Sequence, residues 1–329
     1  MVKQPNDKQR EFIRSARLQA IQILEREDPR HVCVVGPCSI HDRTAALEYA
    51  ERLGRLAQEL KHPLFLVMRV FCEKPRTNAG WKGWLTDPDL DGTNDVVKGI
   101  SATRDLLLAL AEWEIPCAAE FLDPLAAPYY QDLITWGFIG ARTVASQPHR
   151  QLASAFDFPI GFKNTIFGEL DAAIKGILAA RSPHCYLGID DQGHAAAKWS
   201  SGNPHTHLVL RGSESRPNFD SVSIQTALEQ LRQHRLEPRF LIDCSHGNSG
   251  KDHRRQQEVI EAILKDVPEG FLGFMIESHL HEGKQVHLEH LHYGLSITDS
   301  CISWSETEEI LRRLSSNLDQ LCPKLMFPR

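Results

Sequence analysis

The stretch Phe271-Leu272-Gly273-Phe274-Met275-Ile276-Glu277 carries no charge until its last residue, where a carboxylate follows directly on the apolar run. A run this short and this apolar suits a strand buried on both faces, as in a parallel sheet covered by helices. The same design recurs along the chain. Residues 32–35 run into Gly36-Pro37-Cys38, and residues 64–67 into Arg69 and then Lys74-Pro75-Arg76-Thr77. Residues 117–119 end in Glu120, 138–141 in Arg142, 159–162 in Lys163 and 207–210 in Arg211. Residues 239–242 end in Asp243, with His246 just beyond. Eight such runs alternating with helical spacing predict an α/β fold, a (β/α)8 TIM barrel, in which the strand ends converge on one mouth.

The segments between fit that frame. Residues 9–27 read as an amphipathic helix ahead of the barrel, so that residues 1–30 form a short N-terminal helical extension. Residues 44–60 follow as a helix with Asp42 as its candidate N-cap. Residues 101–114, 128–136, 221–234, 254–265 and 306–321 also have helical spacing. Residues 186–201 read as a small β-hairpin inserted before the sixth strand. The loop from residue 71 to about 95 is long enough to be functional. No linker or composition shift divides the chain, so one catalytic domain over 1–329 is expected.

Composition narrows the class. The net charge of −6, with cations scattered rather than gathered in a stripe, argues against nucleic acid as a partner. No apolar run reaches the roughly 18 residues of a spanning helix, and no membrane partner is expected. Residues 1–10 are polar and unlike a signal peptide, and the 8 cysteines include no CxxC pair, so reduced thiols and a cytoplasmic location are expected.

The strand ends carry two chemical sets. Cys38, His246, Glu277 and Asp299 offer a thiolate, an imidazole and two carboxylates, a donor set for a first-row divalent metal: Mn, Fe, Co or Zn. Arg69, Lys74, Arg76, Lys82, Arg142, Lys163 and Arg211 offer cations at the same mouth. Two like charges about 4 Å apart repel by roughly 4 kcal/mol at an effective dielectric of about 20, so such a set calls for polyanionic ligands, phosphates above all. No Walker motif and no GxGxxG after a strand is present, which leaves nucleotide binding unsupported.

The motifs that hold these residues resemble a known family. Gly36-Pro37-Cys38-Ser39-Ile40-His41, Lys74-Pro75-Arg76-Thr77, Gly80-Trp81-Lys82-Gly83, Gly140-Ala141-Arg142-Thr143, Gly161-Phe162-Lys163-Asn164, Leu210-Arg211-Gly212, Ile242-Asp243-Cys244-Ser245-His246, Glu277-Ser278-His279-Leu280 and Ser296-Ile297-Thr298-Asp299 resemble the type I 3-deoxy-D-arabino-heptulosonate 7-phosphate (DAHP) synthases. The likeness runs in order from about residue 15 to 315. It implies a transferase that condenses phosphoenolpyruvate with erythrose 4-phosphate, the first step of the shikimate pathway, in a homo-oligomer of two or four subunits. It implies Cys38, His246, Glu277 and Asp299 as metal ligands. Arg142, Lys163 and Arg211 would hold the phosphoenolpyruvate phosphate, and Arg69 and Lys163 would face its carboxylate. Arg76 and Thr77 would hold the sugar phosphate, with Lys82 nearby. Lys74 is the candidate proton donor to the new alkoxide, on the view that a lysine among cations deprotonates easily. His246 or a metal-bound water would serve the addition at C2, and Glu120 would orient that water or Lys163.

The chain also departs from the family. Only about 30 residues precede the first strand, where regulated members carry an additional arm. Pro124-Leu125-Ala126-Ala127-Pro128 stands where those members have Thr-Pro-Gln, and Asp157 replaces a small hydroxyl residue of the effector pocket. Weak or absent inhibition by Phe, Tyr or Trp is therefore expected. Thr165-Ile166-Phe167-Gly168 and Leu295 replace a polar turn and a lysine nearer the site. Those two changes leave room for a related condensation with another aldose phosphate. A non-catalytic phosphoenolpyruvate-binding regulator is the distant alternative, since no proposed ligand is lost.

Overall fold

The structure, a computed structural model, describes residues 2–77, 80–190, 192–286 and 290–325. Eight parallel strands close into a barrel: β1 (His31–Gly36), β2 (Leu64–Arg69), β3 (Cys117–Glu120), β4 (Trp136–Ile139), β5 (Ile160–Lys163), β8 (Thr206–Leu210), β9 (Phe240–Asp243) and β10 (Phe271–Glu277). The ladder from β1 to β10 closes it, with Val32 opposite Gly273 and Gly36 opposite Glu277. The expected hairpin is β6 (His184–Ile189) with β7 (Ala195–Ser200), an antiparallel pair outside the barrel.

Every residue of the eight barrel strands is buried, which is why the runs are apolar rather than alternating. The alternation appears instead in what each residue packs against. Val32, Val34, Phe65, Val67, Ala118, Trp136, Phe138, Val209, Leu241 and Met275 fill the barrel interior. Ala20, Ile23 and Leu24 of α1 (Asp7–Glu25) join that inner cluster, so the N-terminal helix packs its apolar stripe against the barrel's own core. The intervening residues, such as Cys33, Val35, Leu66 and Met68, face the surrounding helices.

Those helices start where their caps dictate. Asn6 and Gln9 form a capping box on α1, and Asp42 caps α2 (Arg43–Glu59) by accepting from Thr44 and Ala45 at 2.7 and 3.0 Å. Asp95 caps α3 (Val96–Glu112), which therefore begins five residues before the expected start. The others are α4 (Gln147–Ser154), α5 (Asp171–Ala180), α6 (Ser221–Gln233), α7 (Gln256–Lys265) and α8 (Trp304–Leu325). Among the described residues no helix is long and apolar enough to cross a membrane.

Two expectations need correction. Residues 128–136 are not one helix but two 3-10 turns, Ala127–Tyr129 and Gln131–Leu133, leading into β4. Strand β4 also lies two residues earlier than expected. Gly140 already belongs to the turn after the strand, its carbonyl accepting from Thr143 and Val144 at 3.0 and 2.9 Å.

Candidate active site

The inward alternation decides which polar groups meet. Continuing each inner series by two residues gives Arg69 after Val67, Glu120 after Ala118, Arg211 after Val209, Asp243 after Leu241 and Glu277 after Met275. Each lies at the C-terminal edge of the barrel and is buried. The short strands bring side chains of both signs onto one layer.

Lys163 sits at its centre, its Nζ 3.2 Å from Asp243 and 3.6 Å from Glu120. The rings of Phe71 and Phe138 lie 5.9 and 6.0 Å from the ammonium. Arg69 donates to Glu277 at 3.0 Å and to the Pro37 carbonyl at 3.3 Å, with its guanidinium 4.0 Å over Phe71. Its Nη1 is buried without a partner and so remains an available donor. Arg211 is held by Asn164, which accepts from its backbone N–H at 2.8 Å. Burial pulls the Arg211 guanidinium below its ordinary pKa, and Asp243 opposes that.

The metal candidates divide. Donor atoms of Cys38, Glu277 and Asp299 all lie within 4.8 Å of one another. The Cys38 thiol donates to Asp299 at 3.4 Å. His246 stands beside this trio, with Nε2 3.7 Å from Glu277 and Nδ1 3.0 Å from Asp243. It adopts φ +55°, a left-handed conformation rare for a residue with a Cβ and often found at functional sites. A hard–soft set of thiolate, imidazole and carboxylates fits a first-row divalent cation. Burial, reinforced by Glu277, pushes the Cys38 thiol up to about 12, so its ionisation calls for a cation bound against it.

Lys74 departs from expectation. Its Nζ is 3.0 Å from the Cys38 sulfur and 3.1 Å from the Cys38 carbonyl. Burial lowers its pKa, but the hydrogen-bonded Cys38 sulfur and the Asp299 and Glu277 carboxylates outweigh that and raise it above the ordinary lysine value. Lys74 is thus a lysine among anions, not among cations, and it carries its proton.

Arg76, Thr77, Lys82 and Arg142 are more exposed. Arg142 donates to Thr77 at 2.9 Å, and Arg76 to the Trp81 carbonyl at 2.7 Å. Lys74, Arg76, Lys82 and Arg142 line one open cleft of about 780 Å³.

Some functional groups escaped notice in the sequence. Asp243 was visible as a strand end but had no role, although it pairs with both Lys163 and His246. Burial works against its ionisation, yet His246 and Lys163 hold its pKa well below the usual carboxylate range. Ser245 donates to Glu277 at 2.8 Å, and Gln256 brackets the Glu277 backbone at 2.8 and 2.9 Å. Nothing local to Ser245 or Gln256 signals this.

Gly140 gives a direct test of the packing. A Cβ there would sit 2.2 Å from Glu120 Oε1, so Gly140→Ala must push that carboxylate off its place beside Lys163. We expect turnover to fall by about tenfold or more with little loss of fold, measured as kcat/KM beside a melting curve.

The chain matches the DAHP synthetase I family over residues 6–312. It belongs to that family. The Tyr-sensitive phospho-2-dehydro-3-deoxyheptonate aldolase of Salmonella typhimurium is 45% identical over 302 residues, spanning 90% of this chain and 85% of that protein. The Trp-sensitive enzyme of Escherichia coli is 45% identical over 303 residues, spanning 91% and 87%. A solved phospho-2-dehydro-3-deoxyheptonate aldolase from Francisella tularensis superposes with a TM-score of 0.93 at 40% identity, covering 95% of this chain and 93% of that one. The DAHP synthetase I match spans every strand of the barrel and all the charged residues at its mouth.

Proposed function

We propose that this chain is a 3-deoxy-7-phosphoheptulonate synthase, condensing phosphoenolpyruvate with erythrose 4-phosphate to give the heptulosonate 7-phosphate and phosphate. The observation that carries this reading is Lys163, a buried cation held between Glu120 and Asp243, with Asp243 joined through His246 to Glu277 of a thiol–dicarboxylate cluster. Family membership supports the same reaction.

Cys38, Glu277 and Asp299, with His246 alongside, would hold the divalent cation: Mn, Fe, Co or Zn. When bound it supplies Lewis-acid polarisation of the sugar's aldehyde carbonyl. Arg69, through its unpaired Nη1, and Lys163 take the phosphoenolpyruvate carboxylate. Lys163, Arg211 and Arg142 take its phosphate, and Arg76, Thr77 and Lys82 the phosphate of the aldose. Held so, C3 of phosphoenolpyruvate attacks C1 of the aldehyde. Lys74, protonated and buried, delivers its proton to the resulting oxygen. Glu120 and His246 flank the position where water adds to C2, and phosphate leaves with C–O cleavage.

The test is a direct assay of phosphoenolpyruvate loss and heptulosonate formation, comparing erythrose 4-phosphate with other four- and five-carbon aldose phosphates. Preference for erythrose 4-phosphate is expected. Preference for another aldose would point to the turn at residues 165–168, where Phe167 is 72% exposed.

Feedback inhibition should be weak. Asp157 does not stand alone: Arg17 lies 2.6 Å from it, donates to the Ile134 and Gln131 carbonyls, and covers Phe158 at 4.4 Å. That arginine ties α1 to the segments bearing Gln131, Ile134 and Asp157, and Asp157 stands where the family resemblance puts the effector pocket. Titration with Phe, Tyr and Trp should leave turnover nearly unchanged; inhibition at micromolar concentration by any of them would contradict this. The reading also includes a cytoplasmic location and a homo-oligomeric state, the latter to be checked by sedimentation of the purified chain.

A further inference from the structure

Glu73 is used by none of the chemistry above, yet it is a buried carboxylate beside Lys74, only 5% exposed. Three donors converge on it from the loop after β3. Oε1 accepts from the Asp123 N–H at 3.0 Å, and Oε2 accepts from the Leu122 N–H at 3.4 Å and the Tyr130 hydroxyl at 2.7 Å. The two segments so joined both line the cleft. Lys74, Pro75, Arg76 and Lys82 contribute from one, and residues 122–126 with Tyr129 from the other. The Glu73 segment is also pinned to its own loop, since the Lys74 N–H donates to the Lys82 carbonyl at 2.9 Å.

We propose that Glu73 is a positioning residue for the aldose-phosphate half of the reaction: its carboxylate ties the stretch bearing Lys74, Arg76 and Thr77 to residues 122–126, and the tie loosens when it takes up a proton. This rests on the reaction proposed above. The physical reason lies in these hydrogen bonds. An ionised carboxylate accepts all three donors with charge assistance, whereas the protonated carboxyl is a weaker acceptor for the Leu122 and Asp123 N–H groups and must place an O–H of its own beside the Tyr130 hydroxyl. Burial sets where this happens, pushing the Glu73 carboxyl up to about 7 against the opposing hydrogen bonds of Tyr130, Leu122 and Asp123. The titratable groups facing it are the Tyr130 hydroxyl, the Asp123 carboxylate and the Cys72 thiol, with His149 behind, bonded to the Leu122 carbonyl at 2.7 Å. The sign is that of a raised acid: the proton stabilises the fold below the ordinary carboxylate pKa, and that gain is lost as pH rises through about 7, while the strut itself is complete only above it.

The experiment compares wild type, Glu73→Gln and Tyr130→Phe, measuring kcat and KM for each substrate about one pH unit either side of the Glu73 midpoint. Above the midpoint, Glu73→Gln should raise KM for erythrose 4-phosphate by about tenfold and lower kcat as well, because Lys74 shares the stretch, while the phosphoenolpyruvate KM moves by less than about twofold. Below it, wild type and variant should converge; titration of the sugar phosphate itself is common to both and cancels in their ratio. Tyr130→Phe removes a donor to the ionised form and should move the wild-type midpoint upward. A Glu73→Gln effect that is independent of pH, or that falls equally on both substrates, would overturn the proposal. So would a variant matching wild type throughout. Wild type that does not turn over erythrose 4-phosphate would overturn the parent reading as well, which keeps the two failures apart.

Discussion

Replacing Cys38 with serine is expected to cut turnover on the order of 10³-fold, the scale of several kcal/mol that a metal's charge supplies to a transition state. The sulfur lies between the Lys74 ammonium at 3.0 Å and the Asp299 carboxylate at 3.4 Å, fully buried. Serine keeps nearly the same volume and the hydrogen bond to Lys74, so the fold should survive. It cannot supply a thiolate, however, and one donor of the three that converge with Glu277 and Asp299 is lost. Arg69, Lys163 and Arg211 are untouched, so phosphoenolpyruvate should still bind by calorimetry. Dialysis against Mn2+ or Zn2+ should show metal retained by wild type and lost by the variant. Full turnover in the serine variant would show that Cys38 is not part of the metal site.

The second large effect is expected at Lys163. Lys163→Met removes the charge that separates Glu120 from Asp243 and leaves two buried carboxylates facing each other. Losing one partner of a buried ion pair costs about 3–5 kcal/mol, so the variant should melt markedly lower. Phosphoenolpyruvate binding should weaken by about 10²-fold, since its carboxylate and phosphate both lose a desolvated cation. The stability gap should narrow with acid. Asp243 is held well below its ordinary pKa by His246 and Lys163, so its contribution is present above the ordinary carboxylate range and lost as pH falls through the lowered value. Melting curves across the acid range, beside calorimetry with phosphoenolpyruvate, check both statements. Unchanged melting would mean that neighbouring groups neutralise the carboxylates without Lys163.

The barrel was readable because both faces of each strand are buried, which turns every strand into an apolar run that stops at the mouth. The same rule exposed the site: the first charged inward residue of a run, such as Arg69, Lys163 or Glu277, is the one that reaches the shared layer. What could not be read is what depends on contact rather than on position. The region 128–136 has helical spacing, but Trp136 is needed inside the barrel, where its indole donates to His207 at 2.9 Å, and the chain must straighten before it. Lys74 was placed among cations because its sequence neighbours are Arg76 and Lys82; in space its near neighbours are Cys38, Asp299 and Glu277. Asp243 and Glu73 look ordinary in the sequence, since their importance lies in partners such as His246, three residues on, and Asp123 and Tyr130, some 50 residues away.

The decisive measurement is turnover of phosphoenolpyruvate with erythrose 4-phosphate by chelator-stripped protein, with and without added Mn2+. Metal-dependent formation of the heptulosonate 7-phosphate, silent before the metal is restored, is the expected result. Equal turnover in the stripped and restored protein would contradict the assignment of Cys38, Glu277 and Asp299 as a catalytic metal site. Silence in protein shown to hold both metal and phosphoenolpyruvate would contradict the proposed reaction.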